Sequence, residues 1–528
     1  MALSSLDLTI VGVYAIALLA IAIFVSREPK GETKDTEDYF LAGRALPWWA
    51  IGASLIASNI SAEQIIGQSG QGFAVGLAIA AYEWQAALVL IIVAKYFLPI
   101  FLKRGIYTMP QFLDQRYGGG VKTLMSVYWI VLYTAVNLTT VLWLGGLAVN
   151  SLTGWPVLIS MSALGVFAAL YSLYGGLKAV ALTDIIQVVI LIFGGLAITW
   201  IALDMIDNAD GALGGLARVY EEMPGHFKMI LSTDHPAYGD LPGIWTLLGG
   251  LWVLHFSYWG FNQYIIQRAL AAENLAEAQK GLAFAAFLKL FIPLIVVIPG
   301  IAAVILASQG SLDAGALAEK SDRTYGELMK IAPSGLRGLV FAALIAAVVS
   351  SLASMMNSIS TIFTMDVYRA AVGGRAETHY VMVGRIAAFT AMGLALVLAK
   401  PFIGGFESGF QAVQEYSGFI APGVVAVFLL GFFSKRINTA GAFAALLGSI
   451  GFNIALKFGA PDVPFIIRIW FVFVGCIVAA FLISRVTPKP AADRPVDLGD
   501  IGFGTRTLFN VMALLVVAIL VGLYAFLW

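Results

Sequence analysis

Apolar stretches of about 20 residues recur along the whole chain, each long enough to cross the hydrocarbon core of a bilayer. The polar segments between them are too short to fold as soluble domains. Backbone polar groups in lipid must be satisfied within each segment, and the stretches lack the alternation of barrel strands, so they are predicted to be helices. The fourteen predicted spans are 6–26, 46–68, 74–102, 123–152, 155–174, 179–205, 243–267, 279–306, 338–368, 380–399, 405–433, 438–456, 464–484 and 507–527.

Composition supports a chain embedded in a lipid bilayer. Apolar residues make up 60% of the 528 residues and charged residues only 12%, which a water-soluble protein of this length would not tolerate. The 31 basic residues balance the 31 acidic ones, so there is no electrostatic footprint for nucleic acid. The single Cys476 has no second cysteine with which to form a disulfide. The sequence carries no signal of oligomeric state.

The distribution of lysine and arginine predicts an orientation. Most of them fall in the odd-numbered loops between the spans. Cytoplasmic loops carry the excess of positive charge, so both termini are predicted to lie outside. No basic residue precedes the first apolar run and no cleavage site follows it, so the run is predicted to be a retained helix rather than a signal peptide.

Two spans carry more polar residues than helix packing needs. The second holds five hydroxyl, amide or carboxyl side chains between Ser58 and Gln64, and the seventh holds Gly260, Asn262 and Gln263. Close packing between helices would explain Ser58. It would not explain the acidic and amide side chains, whose burial in the membrane costs free energy. Broken helices at matching positions of two inverted halves are typical of a transporter's midplane binding site. The sequence therefore predicts a break in each span.

Charged residues within other spans admit two interpretations. Glu83 and Lys289 lie in long apolar helices, where each charge is expensive unless it is compensated. They form either a buried structural ion pair or a cavity wall that binds a polyol. The segment Gln414-Glu415-Tyr416 is a similar case.

One face of the ninth span combines small and hydroxyl residues. Ala347, Ser350 and Ser351 are neighbours on a helix surface, because residues three and four apart share a face. Hydroxyl and carbonyl oxygens suit a hard monovalent cation. A packing seam continued by Ser354 and Ser358 is the alternative, and spacing alone favours it.

Longer strings resemble a known family. They are DYFLAGRALPWW at 38–49, NISAEQ at 59–64, YGGLKA at 174–179 with TD at 183–184, and SSLASMMNS at 350–358. With these, nearly the whole chain resembles the sodium/solute symporter family, most closely its bacterial sodium/galactose cotransporters. The resemblance implies an all-α membrane protein of the leucine-transporter type with inverted repeats at 46–205 and 243–433. One extra helix at 6–26 would precede the repeats, and three at 438–527 would follow them.

The resemblance also implies roles for individual residues. Sodium would be held by the carbonyls of Ala57, Ile60 and Ala347 and the hydroxyls of Ser350 and Ser351. The sugar would be held by Gln64, Glu83, Lys289 and Gln414, with His255 where the galactose pattern has asparagine. Tyr258 would form the inner gate, and Tyr82 and Phe410 the outer gate, with Gln68 where the pattern has methionine. Asn59 would tie Tyr258 to the sodium-binding helix, and Asp184 would lie on the ion's exit path. Ala86 replaces a serine of the pattern.

The predicted function is sodium-coupled import of a galactose- or glucose-like hexose, or a related polyol, across a bacterial inner membrane. It involves no enzyme chemistry and no cofactor except the sodium ion. One alternative keeps the fold and changes the cargo to inositol, an amino acid or a carboxylate. Another is a membrane sensor with a transporter fold. A third, an intramembrane hydrolase, would need a histidine and carboxylate set for a metal or a nucleophile beside a base.

Overall fold

The fold is described from a computed structural model that covers residues 3–25, 44–207, 210–406, 408–488 and 495–528. The side chains of 22, 23, 25 and 171–183 are outside the description. Two of the family-like strings are affected: positions 38–43 of the first, and the side chains of 174–179 and 183 in the third, lie outside the described residues. The strings at 59–64 and 350–358 are described in full.

Ten helices in the described part of the chain are long and apolar enough to cross a membrane, which agrees with an all-helical membrane protein. The apolar helix Ser5–Val25 precedes them. Apart from an isolated bridge between Leu46 and Ala272, the described ranges contain no strand. The ten are Leu77–Lys103, Gly119–Thr153, Asp184–Asp204, Leu275–Ser308, Leu336–Ala371, Glu377–Ile403, Gly409–Phe433, Thr439–Gly459, Phe465–Val486 and Thr507–Phe526.

The predicted boundary between the fifth and sixth spans falls within helical residues, so the count of fourteen helices is not confirmed. Residues of both belong to one continuous helix, Val157–Asp204, which we call the long helix. The connecting segment contains no proline, and leucine, lysine and alanine follow its glycine pair and favour a helix.

The predicted break in the second span is confirmed. This span forms the first broken helix, which consists of Trp48–Asn59, Glu63–Gln68 and Ser69–Ala74. Ile60 leaves the helical conformation with φ −74° and ψ 89°. A capping box then restarts the helix: the Ser61 hydroxyl accepts the N–H of Glu63 at 3.0 Å, and Gln64 Oε1 accepts the N–H of Ser61 at 3.1 Å. Side chains thus satisfy backbone groups that the break frees.

The seventh predicted span is also interrupted, as expected. It contains the second broken helix, which consists of Leu251–His255, Phe256–Gly260 and Gln263–Leu270. At the break, Asn262 has φ −82° and ψ 122°. Tyr133, from the helix Gly119–Thr153, holds this break in place because its hydroxyl accepts the N–H of Gln263 at 2.9 Å and donates to Asn262 Oδ1 at 2.5 Å.

A close contact joins the first half of the first broken helix to the helix Leu275–Ser308, which we call the lysine helix because it carries Lys289. A Cβ on Gly52 would lie 2.8 Å from the carbonyl oxygen of Gly281, and a Cβ on Gly281 would lie 2.8 Å from Cβ of Ile51. Glu277 of the lysine helix accepts the N–H of Trp48 at 2.9 Å. Glycine on both sides lets the two backbones approach closely.

The helix Leu336–Ala371, which we call the serine helix, packs against the long helix and the first broken helix. Its start is capped by the helix Ser5–Val25, because Asp7 Oδ1 accepts the N–H groups of Gly335 at 2.7 Å and Gly338 at 2.9 Å. A carboxylate at a helix N-terminus satisfies free N–H groups and interacts favourably with the helix dipole. The first helix of the chain is thereby fixed to the serine helix.

Candidate functional site

A cavity lies beside the breaks of the two broken helices. Every residue that we predicted to bind or to gate a sugar lines it, so the predicted set is brought together in one place. These residues are Gln64, Gln68, Tyr82, Glu83, His255, Tyr258, Lys289, Phe410 and Gln414. Asn59 also lines the cavity. The side-chain carbonyl oxygen of Gln64 accepts hydrogen bonds from the backbone N–H and the hydroxyl of Ser61. The amide N–H groups of Gln64 therefore remain available to a ligand.

Lys289 and Glu83 form an ion pair in the cavity wall, and both side chains are almost completely buried. The Lys289 ammonium also donates to Asn59 Oδ1 and lies 4.7 Å from the centre of the Trp259 ring. Gln68 donates its amide to the second Glu83 oxygen at 2.7 Å. The two interpretations of these charges are therefore compatible, because the buried ion pair itself lines the cavity.

Several buried polar atoms in the cavity wall make no hydrogen bond to any described residue. They are Glu63 Oε1, Gln68 Oε1, Tyr82 Oη, Asn137 Oδ1 and His255 Nε2. The carboxylate and amide oxygens accept hydrogen bonds, and the phenol and imidazole can donate or accept them. Leaving such atoms without partners is costly. The wall is therefore suited to a ligand that offers several hydroxyl groups.

Aromatic side chains line the cavity in two groups. Tyr82 and Phe410 meet edge to face with ring centroids 5.0 Å apart, and the Tyr82 ring lies 6.2 Å from the imidazole of His255. In the second group, Tyr258 accepts a hydrogen bond from Asn59 Nδ2 at 3.0 Å and contacts the Tyr264 hydroxyl. The predicted contact between Asn59 and Tyr258 is thus present, and it ties the second broken helix to the first.

The residues predicted to hold a cation are buried where the first broken helix meets the serine helix. They are Ala57, Ile60, Ala347, Ser350 and Ser351. The Ser351 hydroxyl crosses between the two helices and donates to the carbonyl oxygen of Ser58 at 2.8 Å. The Ser350 hydroxyl donates to the carboxylate of Asp184. Neutral oxygens of both helices therefore lie next to the first break.

Asp184 is not among the residues that line the cavity. Its carboxylate belongs to a buried network in which Oδ2 accepts from Ser54 at 2.5 Å and lies 3.4 Å from the guanidinium of Arg268. Arg268 also donates to the Ser354 hydroxyl at 2.5 Å. This network links the long helix, both broken helices and the serine helix. We did not predict the part played by Arg268, because a basic residue near the end of a span reads as a loop charge.

Three further residues of the site escaped prediction. Glu63 is conspicuous in the sequence as a costly acidic residue, but no role was assigned to it. Asn137 is an isolated amide in an apolar span, and such residues usually hydrogen-bond between helices. Tyr133 carries no sequence signal at all, since tyrosine is common in membrane helices. The lining of the cavity and the hydrogen bonds at the second break identify all three.

A buried polar cavity between two interrupted membrane helices is the arrangement found in secondary transporters. Comparison with known proteins gives the same class. The sequence model that describes the sodium:solute symporter family matches residues 39–449 of this chain. The chain therefore belongs to this family. The family and the relatives given below are transporters.

Relatives extend over most or all of the chain. It is 47% identical to a sodium/glucose cotransporter of Vibrio parahaemolyticus, with 100% of this chain and 99% of the relative covered. It is 34% identical to the sodium/glucose cotransporter 4 of Danio rerio, covering 87% of this chain and 73% of that relative. It is also 34% identical to the human sodium/myo-inositol cotransporter, covering 87% and 68%.

Solved structures give the fold. A Na⁺-coupled sialic acid symporter in a substrate-bound, outward-open state superimposes with a TM-score of 0.80 and 20% identity, covering 92% of this chain and 99% of that one. The nucleobase-cation symporter Mhp1 gives a TM-score of 0.53 at 14% identity, covering 86% and 96%. These neighbours are transporters with the leucine-transporter-type fold, so the chain shares that fold.

Proposed function

We propose that this protein is a sodium-coupled symporter that imports a neutral sugar by alternating access. The observation that carries the proposal is the set of five buried, unpartnered polar atoms in the cavity wall, next to a charge-balanced ion pair. Each hydroxyl of a sugar donates one hydrogen bond and accepts others, so one sugar can satisfy a wall of this kind. A carboxylate substrate would require a free cation, whereas Lys289 is already neutralised by Glu83.

The relatives favour the same class of substrate. Glucose, in the names of the Vibrio and zebrafish relatives, and myo-inositol, in the name of the human relative, are neutral polyols of similar size. For this chain we propose a galactose- or glucose-like hexose, with inositol as the nearest alternative. We propose Gln64, Glu83, His255, Lys289 and Gln414 as its hydrogen-bonding residues, with Asn137 added to the set predicted from the sequence.

The proposed sodium site lies at the first break. Ile60 departs from helical geometry there, so the preceding carbonyls are freed from the helical hydrogen-bond pattern and are available to a cation. The Ser351 hydroxyl already lies within hydrogen-bond distance of a carbonyl of that helix. We propose that the sodium ion is bound by the carbonyls of Ala57, Ile60 and Ala347 and by the hydroxyls of Ser350 and Ser351. Asp184 would lie on the ion's exit path, next to Ser350.

Alternating access requires gates and two related halves. We propose Tyr258 as the inner gate, and Tyr82 with Phe410 and Gln68 as the outer gate, because all four line the cavity and the rings of Tyr82 and Phe410 pack together. The halves would be inverted repeats at 46–205 and 243–433, each of which contains one broken helix at its start. The bacterial inner membrane is the proposed location, with both termini outside.

The proposal is tested by transport into proteoliposomes that contain the purified protein. We expect uptake of radiolabelled galactose or glucose that requires an inward sodium gradient and that stops when potassium replaces sodium. Unlabelled hexoses and myo-inositol should compete, whereas an amino acid and a monocarboxylate should not. Uptake that is independent of sodium, or competition by the amino acid or the carboxylate alone, would contradict the proposed function.

Replacing His255 with asparagine should shift selectivity towards galactose. His255 offers one unpartnered ring nitrogen to the cavity, whereas an amide offers both a donor and an acceptor, as in the galactose-type pattern. One hydrogen bond gained or lost changes relative affinity by roughly ten-fold. Competition between galactose and glucose for uptake measures this ratio. His235→Asn, in a loop, is the matched control, and equal ratios in all three proteins would place His255 outside substrate recognition.

Removing the Tyr258 hydroxyl should loosen the inner gate. Tyr258→Phe keeps the ring but loses the contact with the Tyr264 hydroxyl and the hydrogen bond from Asn59, the latter worth about 1 kcal/mol. We expect the leak of sugar from preloaded proteoliposomes without sodium to rise roughly five-fold. Tyr128→Phe removes a hydroxyl that bonds only the Leu446 carbonyl among the described residues, so it serves as the control. If Tyr258→Phe leaks no faster than this control, the tie between Asn59 and Tyr258 does not gate the cavity.

A further inference from the structure

Glu63 is an acidic side chain of the cavity wall without a counter-ion among the described residues. The residue is 4% exposed, it lines the cavity, and its Oε1 has no hydrogen-bond partner. The ion pair of Lys289 with Glu83 is complete without it. With His255 neutral, the described lining residues therefore carry one net negative charge, and that charge belongs to Glu63.

Other ionisable groups near Glu63 do not neutralise it. The phenols of Tyr258 and Tyr264 lie near enough to interact with its charge, but they are neutral donors and already contact each other. The segments packed against Glu63–Gln68 carry further ionisable residues, none of which lines the cavity. These are Asp322, Arg323, Tyr325, Glu327, Lys330, Glu415 and Tyr416.

The charged members of that set are engaged elsewhere. Lys330 pairs with Glu327 of its own helix, and Arg323 pairs with Glu319. Asp322 accepts the N–H of Gly409. Glu415 is paired with Lys457 and Arg468. A carboxylate in a buried, water-poor site without a cation pays a large desolvation cost, so Glu63 must be neutralised when the cavity loses its water.

We propose that Glu63 takes up a proton when a sugar fills the cavity. Only the small exposed part of Glu63 meets the water of the open cavity, so a sugar that displaces this water removes the last hydration of the carboxylate and favours the neutral acid. The proton comes from bulk water, forms an O–H bond on the carboxylate, and returns to water when the sugar leaves. As an acid, Glu63 donates a hydrogen bond to a sugar hydroxyl, which adds a donor to a wall rich in acceptors. This inference rests on the proposed sugar-binding function.

The test counts protons bound with the sugar. Isothermal titration calorimetry in detergent at saturating sodium, in phosphate and in Tris at the same pH, yields the number of protons from the difference in heats. We expect uptake close to one proton per sugar, with a dissociation constant that rises roughly ten-fold per pH unit, because binding of proton and sugar are linked. Glu63→Gln, an isostere of the neutral acid, should bind the sugar with no proton uptake and with a flat pH profile.

Further variants identify the side chain that takes up the proton. Glu63→Asp keeps a carboxyl group and should retain the uptake, and Glu415→Gln, a carboxyl group outside the cavity, should also retain it. His255→Asn should retain it as well, and loss of the uptake in that variant would transfer the proton to the imidazole and overturn the proposal. Sugar binding by the wild type without proton uptake would overturn this inference alone. Absence of sodium-dependent sugar binding would instead contradict the proposed function.

Discussion

Lys289→Ala is expected to abolish sugar binding and to lower the free energy of unfolding by about 3 to 5 kcal/mol. The ammonium is the ion-pair partner of Glu83 and also donates to Asn59, so its removal leaves a buried carboxylate without its cation. It also removes a donor from the cavity wall. Sodium-dependent uptake measures the first effect, and thermal unfolding in detergent measures the second.

A second substitution separates these two effects. In Lys289→Ala with Glu83→Gln neither position of the former ion pair carries an uncompensated charge, so stability should largely recover, whereas sugar binding should stay absent. Glu415→Gln is the control for loss of a carboxylate outside the cavity. Uptake near the wild-type rate in Lys289→Ala would contradict the proposed sugar site. Recovery of uptake in the double variant would mean that the pair serves stability alone.

Ser351→Ala is expected to raise the sodium concentration for half-maximal uptake roughly ten-fold. In the proposed site the hydroxyl is one of five oxygens around the ion, and losing one neutral ligand should cost about 1.5 kcal/mol, comparable to a hydrogen bond to a charged group. By linkage, the variant must also bind sugar less tightly at a fixed sodium concentration and must recover at higher sodium. Uptake at a series of sodium concentrations measures both.

The structure supplies a matched control for this serine. Ser358 lies two turns further along the same helix, and its hydroxyl donates to the Ser354 carbonyl at 3.0 Å and to Gln267 Oε1 at 3.2 Å rather than to the first broken helix. Ser358→Ala should therefore leave the sodium dependence unchanged. The alternative role of Ser351 is to satisfy the Ser58 carbonyl at the end of a half-helix. An unchanged sodium dependence with reduced stability would support that role and would remove Ser351 from the cation site.

The sequence predicted the breaks and the ion pair because both violate a strong physical rule. A membrane helix does not tolerate clustered polar groups or lone charges, so Glu83 and Lys289 each required a partner and the run from Ser58 to Gln64 required a special backbone. The capping box at Ser61 and Gln64 was also readable from the Ser-x-x-Gln pattern, but inside an apolar span it did not present itself as a helix start.

Other features depend on tertiary contacts that spacing does not encode. Arg268 lies near the end of a span and became part of the interior only because the second broken helix brings it to Asp184. Asn137 has the signature of ordinary helix packing and is distinguished only by its position in the cavity. The boundary between the fifth and sixth predicted spans was placed where hydropathy falls, and the structure continues helical residues through it, from Val157 to Asp204.

The glycine contact between Gly52 and Gly281 has a mechanical consequence. A side chain at either glycine would push apart the half-helix that ends at the proposed ion site and the helix that carries Lys289. The proposed ion site and the Lys289 ammonium that we propose as a donor to the sugar therefore lie on two helices in direct backbone contact. A rotation that carries the two helices together would change both proposed binding positions at once, without a relay of side-chain rearrangements between them.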